Sequence, residues 1–205
     1  AMLSHVNLPA ILDFFLFGDR EYLVMEYIDG RTLQDILDGS PDPIPEKQVI
    51  EWAHQLCNVL SYLHSNSVIF RDLKPSNVML SADDTIKLID FNIARIFKPG
   101  GLKDTQELGT PGYAPPEQYG SAQTDPRSDI YSLGVTLYVL LTKYDVATGE
   151  LFHRPPLRSL NPTVSQATEA VINKATQLDR EKRFQSAAEM WDALAIGSLG
   201  LVEKH

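Results

Sequence analysis

The chain has 205 residues, 43% of them hydrophobic and 22% charged, an ordinary globular composition with enough length to bury a core. A formal net charge of −9 and a pI of about 5.0 argue against non-specific binding to nucleic acid or to an anionic membrane surface. A single cysteine, Cys57, rules out an intrachain disulfide, and its apolar helical surroundings point to a buried, inert thiol.

Ala1 and Met2 read as a cloning remnant, and the natural protein is expected to extend in both directions. The start is neither basic nor continuously apolar, so no secretory leader is expected. Residues 8–17 and 22–27 are apolar, rich in aromatic and branched side chains, and separated by Gly18-Asp19-Arg20-Glu21, which predicts a hairpin ended by Gly30. Thr32-Leu33-Gln34-Asp35 predicts the opening of a short helix, ended by Ser40-Pro41-Asp42-Pro43. Over 45–65, Val49, Trp52, Ala53, Leu56, Val59, Leu60 and Leu63 recur at helical spacing, with Pro45 where a first-turn proline is tolerated. Short strands are predicted at 68–70, 78–80 and 86–89, the last two joined by a turn at Asp83-Asp84. No sustained period runs from Asp90 to about Glu117, and a connection of that length inside a domain is usually functional. Residues 129–141 are apolar nearly all round, as in a central buried helix. The longest apolar run, 135–141 with Thr136 in it, is far short of the ~20 residues of a membrane span, so the segment is expected to be soluble. Amphipathic helices are predicted over 168–178 and 186–196.

Chemistry concentrates in Phe70-Arg71-Asp72-Leu73-Lys74-Pro75-Ser76-Asn77 and in Asp90-Phe91-Asn92. A carboxylate beside a lysine and an amide, with a second carboxylate at the end of an apolar run, is what phosphoryl transfer from a metal-bound nucleotide needs. Asp72 would orient a hydroxyl and accept its proton, and Lys74 would reach the transferring phosphoryl. Asn77 and Asp90 would offer oxygen to magnesium. Taken singly, Asp72 and Asp90 read equally well as turn residues; the ordered set favours chemistry.

With these motifs the chain resembles a Hanks-type serine/threonine protein kinase, in a form common among bacteria. The resemblance runs in one order from about residue 3 to 194. It extends to Gly109-Thr110-Pro111-Gly112-Tyr113-Ala114-Pro115-Pro116-Glu117, similar to the end of an activation segment, with Pro-Pro-Glu for the usual Ala-Pro-Glu. Asp129-Ile130-Tyr131-Ser132-Leu133-Gly134 is similar to the start of the central large-lobe helix. Arg183 stands where the family places an arginine that pairs with the Glu117 position. The implied fold is mainly α with small β elements: a kinase-like large lobe with the small lobe largely absent. Residues 1–30 would be the small-lobe remnant of hairpin and hinge, 31–196 the large lobe, and 197–205 a tail.

The resemblance further implies that Met25 gates the pocket behind the adenine and that backbone groups of Glu26 and Ile28 bond the adenine edge. Met79 would floor that pocket and Ile89 line it; plain core packing is the other reading of both. Lys74-Pro75-Ser76 matches serine/threonine rather than tyrosine specificity. Thr110 is implied to bond Asp72 and Lys74, with a turn hydroxyl as its other reading. The absence of an acidic residue at position 76 argues against a demand for arginine in the substrate. Arg71 is implied to pair with a phosphate on the activation segment, at Thr105 first and Thr110 second, or else with a local carboxylate. Phe70 replaces the usual histidine and is expected to stack on Phe91. Asn92 replaces the glycine of D-F-G, tolerates left-handed dihedrals, and is expected to restrict switching of Asp90 and Phe91.

The sequence contains no G-x-G-x-x-G, no V-A-I-K lysine and no helix with its partner glutamate. It reads as a truncated chain or as a natural single-lobe protein. The expectation is a cytoplasmic kinase that transfers the ATP γ-phosphoryl to protein serine or threonine with magnesium, this chain being inactive alone. A non-catalytic, pseudokinase-like binding module is the alternative, and a small-molecule phosphotransferase a third reading. Expected partners are a protein substrate and, through the exposed lobe interface, a second copy, with no nucleic acid and no membrane within this segment.

Overall fold

In the computed structural model, residues 3–18, 20–90, 95–96, 109–119 and 123–202 are described. The two aromatic-rich runs near the N-terminus pair as antiparallel strands β1 (Ile11–Phe17) and β2 (Arg20–Met25), with Phe17 opposite Arg20. Gly18 leaves β1 at φ +60°, a conformation that glycine adopts without steric cost. The ribbon exposes Leu12, Phe14, Leu16, Phe17 and Leu23, and Phe15 stacks on Tyr22 at 5.3 Å.

Gly30 opens a third strand instead of ending the hairpin. In β3 (Gly30–Thr32) it lies against Leu80, and a Cβ there would run into the Leu80 carbonyl. β3, β5 (Val78–Ser81) and β6 (Ile86–Leu88) form a three-stranded antiparallel sheet with β5 in the middle. Thr32 caps α1 (Leu33–Gly39) through a capping box with Asp35. The 20-residue α2 (Glu46–Ser65) buries the predicted stripe together with Ile50 and Cys57. Burial pushes the Cys57 thiol up to about 12, which keeps it protonated and unreactive. Two-residue strands β4 (Val68–Ile69) and β7 (Arg95–Ile96) pair with each other.

The core centres on α3 (Pro126–Thr142), in which every residue from 128 to 141 is buried. Asp125 caps it in a capping box with Ser128, and Pro126 occupies a first-turn position where no N–H is needed. α2, the four-residue α4 (Leu157–Leu160), α5 (Gln166–Ala175) and α6 (Ala187–Val202) pack around it. At its C-terminal end Lys143, at φ +56°, donates from Nζ to the carbonyls of Leu37 and Ser40.

Several boundaries differ from the sequence reading. β3, β7 and α4 were not expected, being too short to carry a period. α5 starts at Gln166 because Ser165 supplies the cap to Thr168 N–H, and α6 runs to Val202 rather than ending at 196. Phe91, Asn92 and Thr105 lie outside the described residues, and with them the expected stacking of Phe70 on Phe91.

α5 approaches α3 so closely that a Cβ on Gly134 would lie 2.8 Å from Thr176 Cγ2 and 2.9 Å from Ala175 Cβ. Gly134→Ala is therefore expected to destabilise the chain by about 1–3 kcal/mol through overpacking, read as a lower urea midpoint with an unchanged slope. An unchanged midpoint would show that the two helices can part without cost.

Candidate active site

The connection from β4 to β5 carries the predicted catalytic residues, and Asp129 in the first turn of α3 fixes its path. Asp129 is fully buried, its Oδ2 accepting the Phe70 N–H at 2.9 Å and its Oδ1 the Arg71 N–H at 2.7 Å. His64 Nε2, from the last turn of α2, is 2.8 Å from Asp129 Oδ2. These contacts, with Gln118 Nε2 donating to the Arg71 carbonyl at 2.9 Å, hold Arg71 at φ +75°, a sparsely populated conformation for a non-glycine residue. Thr136 Oγ1, about two helical turns further into α3, donates to the Leu73 carbonyl at 3.2 Å.

The next residues form a closed polar knot. Thr110 Oγ1 donates to Asp72 Oδ1 at 2.7 Å and accepts from Lys74 Nζ at 2.6 Å. Lys74 Nζ is also 2.8 Å from Asp72 Oδ2. Asn77 Nδ2 donates to the Asp72 carbonyl at 2.8 Å and to Asp72 Oδ2 at 2.9 Å. Pro75 begins a 3₁₀ turn (Pro75–Asn77) that returns the chain to β5 and buries Asn77. Asp90 is brought alongside by the backbone, since Ile89 N–H donates to the Asn77 carbonyl at 2.9 Å, and Asp90 sits at φ +67°.

A hard cation suits this arrangement. Both hydrogen bonds of the Asn77 amide use its nitrogen, which leaves Oδ1 as a ligand oxygen, and Asp90 adds a carboxylate next door. No group of three His, Cys, Asp or Glu that could hold a metal occurs among the described residues. Oxygen-bearing side chains of this kind suit a hard divalent cation better than a soft one.

Of the residues expected around an adenine, Met25 ends β2 and is half-exposed, while Met79 in β5 and Ile89 after β6 are partly buried. The Glu26 N–H is spent on the Ala10 carbonyl at 2.8 Å, leaving the Glu26 carbonyl as its backbone group for a ligand. The Ala10 N–H and the Lys87 ammonium hold the Glu26 carboxyl below the usual carboxylate range. Ile28 is half-buried in the link to β3.

The segment carrying Thr110 is clamped from behind. Gly112, at φ +85°, lies against the Val146 carbonyl where a Cβ would not fit, and Ser132 Oγ donates to the Tyr113 carbonyl at 3.0 Å. Glu117 and Arg183 make a buried bidentate pair, Nη1 to Oε1 at 2.7 Å and Nη2 to Oε2 at 3.0 Å. Ser128 Oγ donates to the same Glu117 Oε1, and Arg183 also donates to the carbonyls of Gln177, Arg127 and Leu178. Tyr131 faces the guanidinium at 4.9 Å.

Sequence reasoning missed His64, Gln118, Thr136 and Ser128 as supports of this site. His64, Gln118 and Thr136 meet partners 65, 47 and 63 residues away, and no local pattern marks such pairings. Glu117→Ala is expected to cost about 3–5 kcal/mol in a denaturant melt, because it leaves Arg183 buried without its counter-charge. A loss below about 1 kcal/mol would mean that the carbonyls around Arg183 suffice.

Comparison with known proteins follows the same outline. The family described as protein kinase domain matches residues 1–192. The chain is 38% identical over 205 residues to serine/threonine-protein kinase PknB of Mycobacterium tuberculosis (strain ATCC 25177 / H37Ra), covering 90% of this chain and 33% of that protein. It is 35% identical over 209 residues to the probable serine/threonine-protein kinase PknB of Lactococcus lactis subsp. lactis (strain IL1403), covering 97% and 33%. A third relative, the probable serine/threonine-protein kinase SCO3848 of Streptomyces coelicolor, is 35% identical over 207 residues, covering 91% and 31%. The chain thus spans about a third of the length of these relatives. It belongs to the protein kinase domain family, as a Hanks-type serine/threonine member.

Proposed function

We propose that this chain carries the phosphoryl-transfer machinery of a serine/threonine protein kinase, with ATP as donor, magnesium as metal and a protein hydroxyl as acceptor. The knot of Asp72, Lys74, Asn77 and Thr110 carries the reading, because among the described residues each member keeps a hydrogen-bonding site unused. A carboxylate offers about four lone-pair sites. Asp72 accepts from Thr110, Asn77 and Lys74. The remaining site suits the hydroxyl proton of a serine or threonine. An ammonium has three donors, and Lys74 spends two, on Asp72 and Thr110. The third suits an oxygen of the transferring phosphoryl. Asn77 Oδ1 and the Asp90 carboxylate would hold magnesium, which would neutralise charge on the phosphates when bound.

In this reading Asp72 takes the hydroxyl proton as the acceptor oxygen attacks, while Thr110 and Asn77 keep its carboxylate from rotating. Residues 31–196 form the large lobe, 1–30 a small-lobe remnant and 197–205 the tail. Met25, Glu26, Ile28, Met79 and Ile89 line the adenine side. Arg71 pairs with a phosphate on Thr105, and the β1–β2 ribbon offers a surface for a second copy. No helix among the described residues is long and apolar enough to cross a membrane, and a cytoplasmic setting supplies the ATP. The 205 residues contain no glycine-rich phosphate loop or V-A-I-K lysine, so the isolated chain is proposed to hold ATP weakly and to be inactive alone.

In the full-length protein, Asp72→Ala is expected to lower transfer to a serine peptide by about 10²- to 10⁴-fold, with little change in KM for the peptide. Near wild-type turnover would rule out Asp72 as the base. Calorimetric titration of the isolated chain with magnesium-ATP is expected to show weak binding that Asp90→Ala abolishes.

A further inference from the structure

A cleft of about 410 Å³ shares no lining residue with the Asp72 knot. It lies between Tyr138 on α3, Asn173, Thr176 and Gln177 at the end of α5, and Arg154 and Pro155 ahead of α4. Its chemistry is set by Arg154. The guanidinium carbon stands 5.5 Å from the centre of the Tyr131 ring and 5.9 Å from that of Tyr138. Nη1 donates to the Tyr131 hydroxyl at 3.3 Å. The Tyr138 hydroxyl in turn donates to the Pro155 carbonyl at 2.9 Å, which ties that ring to the backbone next to Arg154. Two aromatic faces therefore hold the cation in one place.

Arg154 differs in its partners from three other arginines of the chain. Arg127, Arg180 and Arg183 each pair with a carboxylate. No carboxylate among the described residues lies within 4.0 Å of Arg154. In a chain of net charge −9 this is a positioned, half-buried cation with most of its five N–H donors unspent on protein. Asn173 adds an exposed amide on the facing wall. A guanidinium fork can pair bidentately with one carboxylate, and the Asn173 amide can donate to it as well. The cleft also adjoins the segment that carries Thr110 and Glu117. Phe152, on its rim, packs edge-on against Tyr119 at 5.5 Å, and Tyr119 ends the 3₁₀ turn that contains Glu117.

We propose that this cleft is a docking site for an acidic side chain of a protein substrate, on a segment outside the phosphorylated residue, with Arg154 as the specificity-determining contact. That the occupant is a substrate rests on the kinase reading above; its binding does not require transfer. The test titrates the chain with two matched peptides, one with Asp and Glu near its C-terminal end and one with Asn and Gln in their place. Calorimetry gives affinity, and the side-chain amide signals of Asn173 and Gln177 give location. The acidic peptide is expected to bind at least about tenfold more tightly, to shift both amides, and to lose its advantage in Arg154→Gln. Asn173→Asp, a change on an exposed rim that leaves Arg154 in place, is expected to weaken the acidic peptide alone. Equal affinity for the two peptides, or an advantage that survives both substitutions, overturns the proposal. Tighter binding of inorganic phosphate than of the acidic peptide also overturns it. If transfer by the full-length protein depends on Asp72 and the cleft ignores acidic peptides, docking fails alone. If the cleft binds them and no transfer occurs, the kinase reading fails alone.

Discussion

A single buried carboxylate organises this molecule. Asp129 is fully removed from water, and the price of its desolvation is offset by two backbone N–H groups and by His64. Its place in the first turn of α3 adds the favourable end of the helix dipole. The backbone donors it binds belong to Phe70 and Arg71, so the connection from β4 to β5 is anchored to the most deeply buried helix among the described residues. The orientation of Asp72 follows from that anchor rather than from the loop itself. A loop held this way inherits the rigidity of the core, as a site that must place a hydroxyl within hydrogen-bond reach requires.

The second half of the site arrives by a different route. Thr110 belongs to a segment rich in glycine and proline with no period of its own. Three ties bring it to the catalytic loop: Ser132 to the Tyr113 carbonyl, Gln118 to the Arg71 carbonyl, and the Glu117–Arg183 pair. Ser132 lies on α3, as does Ser128, which bonds Glu117. The Thr110 segment and the Asp72 loop therefore share one helix as their reference frame. The Thr110 hydroxyl closes the join by serving both Asp72 and Lys74.

Much of this was legible in the residues. α2 and α3 announced themselves by their stripe and by their all-round apolarity, and Thr32-Leu33-Gln34-Asp35 marked the opening of a helix, which the structure starts with a capping box. The order of Asp72, Lys74, Asn77 and Asp90 pointed to one site because their spacing is short and their chemistry specific. The remainder depends on distance in sequence. β3 exists because Gly30 can lie against the Leu80 carbonyl, and three residues cannot advertise such a pairing. His64 follows Leu63 on α2 and looks like an ordinary polar position, yet it faces Asp129 across the core. Arg154 stands in a proline-containing stretch without period, and only the positions of Tyr131 and Tyr138 make it notable.

The left-handed backbones of Arg71 and Asp90 carry an evolutionary consequence. Both are non-glycine residues at positive φ, at the two ends of the catalytic apparatus. Glycine at either position would relax the main chain, so the fold alone would favour it. The side chains that would be lost are a proposed metal ligand, Asp90, and the proposed partner of a phosphate on Thr105, Arg71. Backbone stability and the proposed chemistry therefore make opposite demands on these two positions.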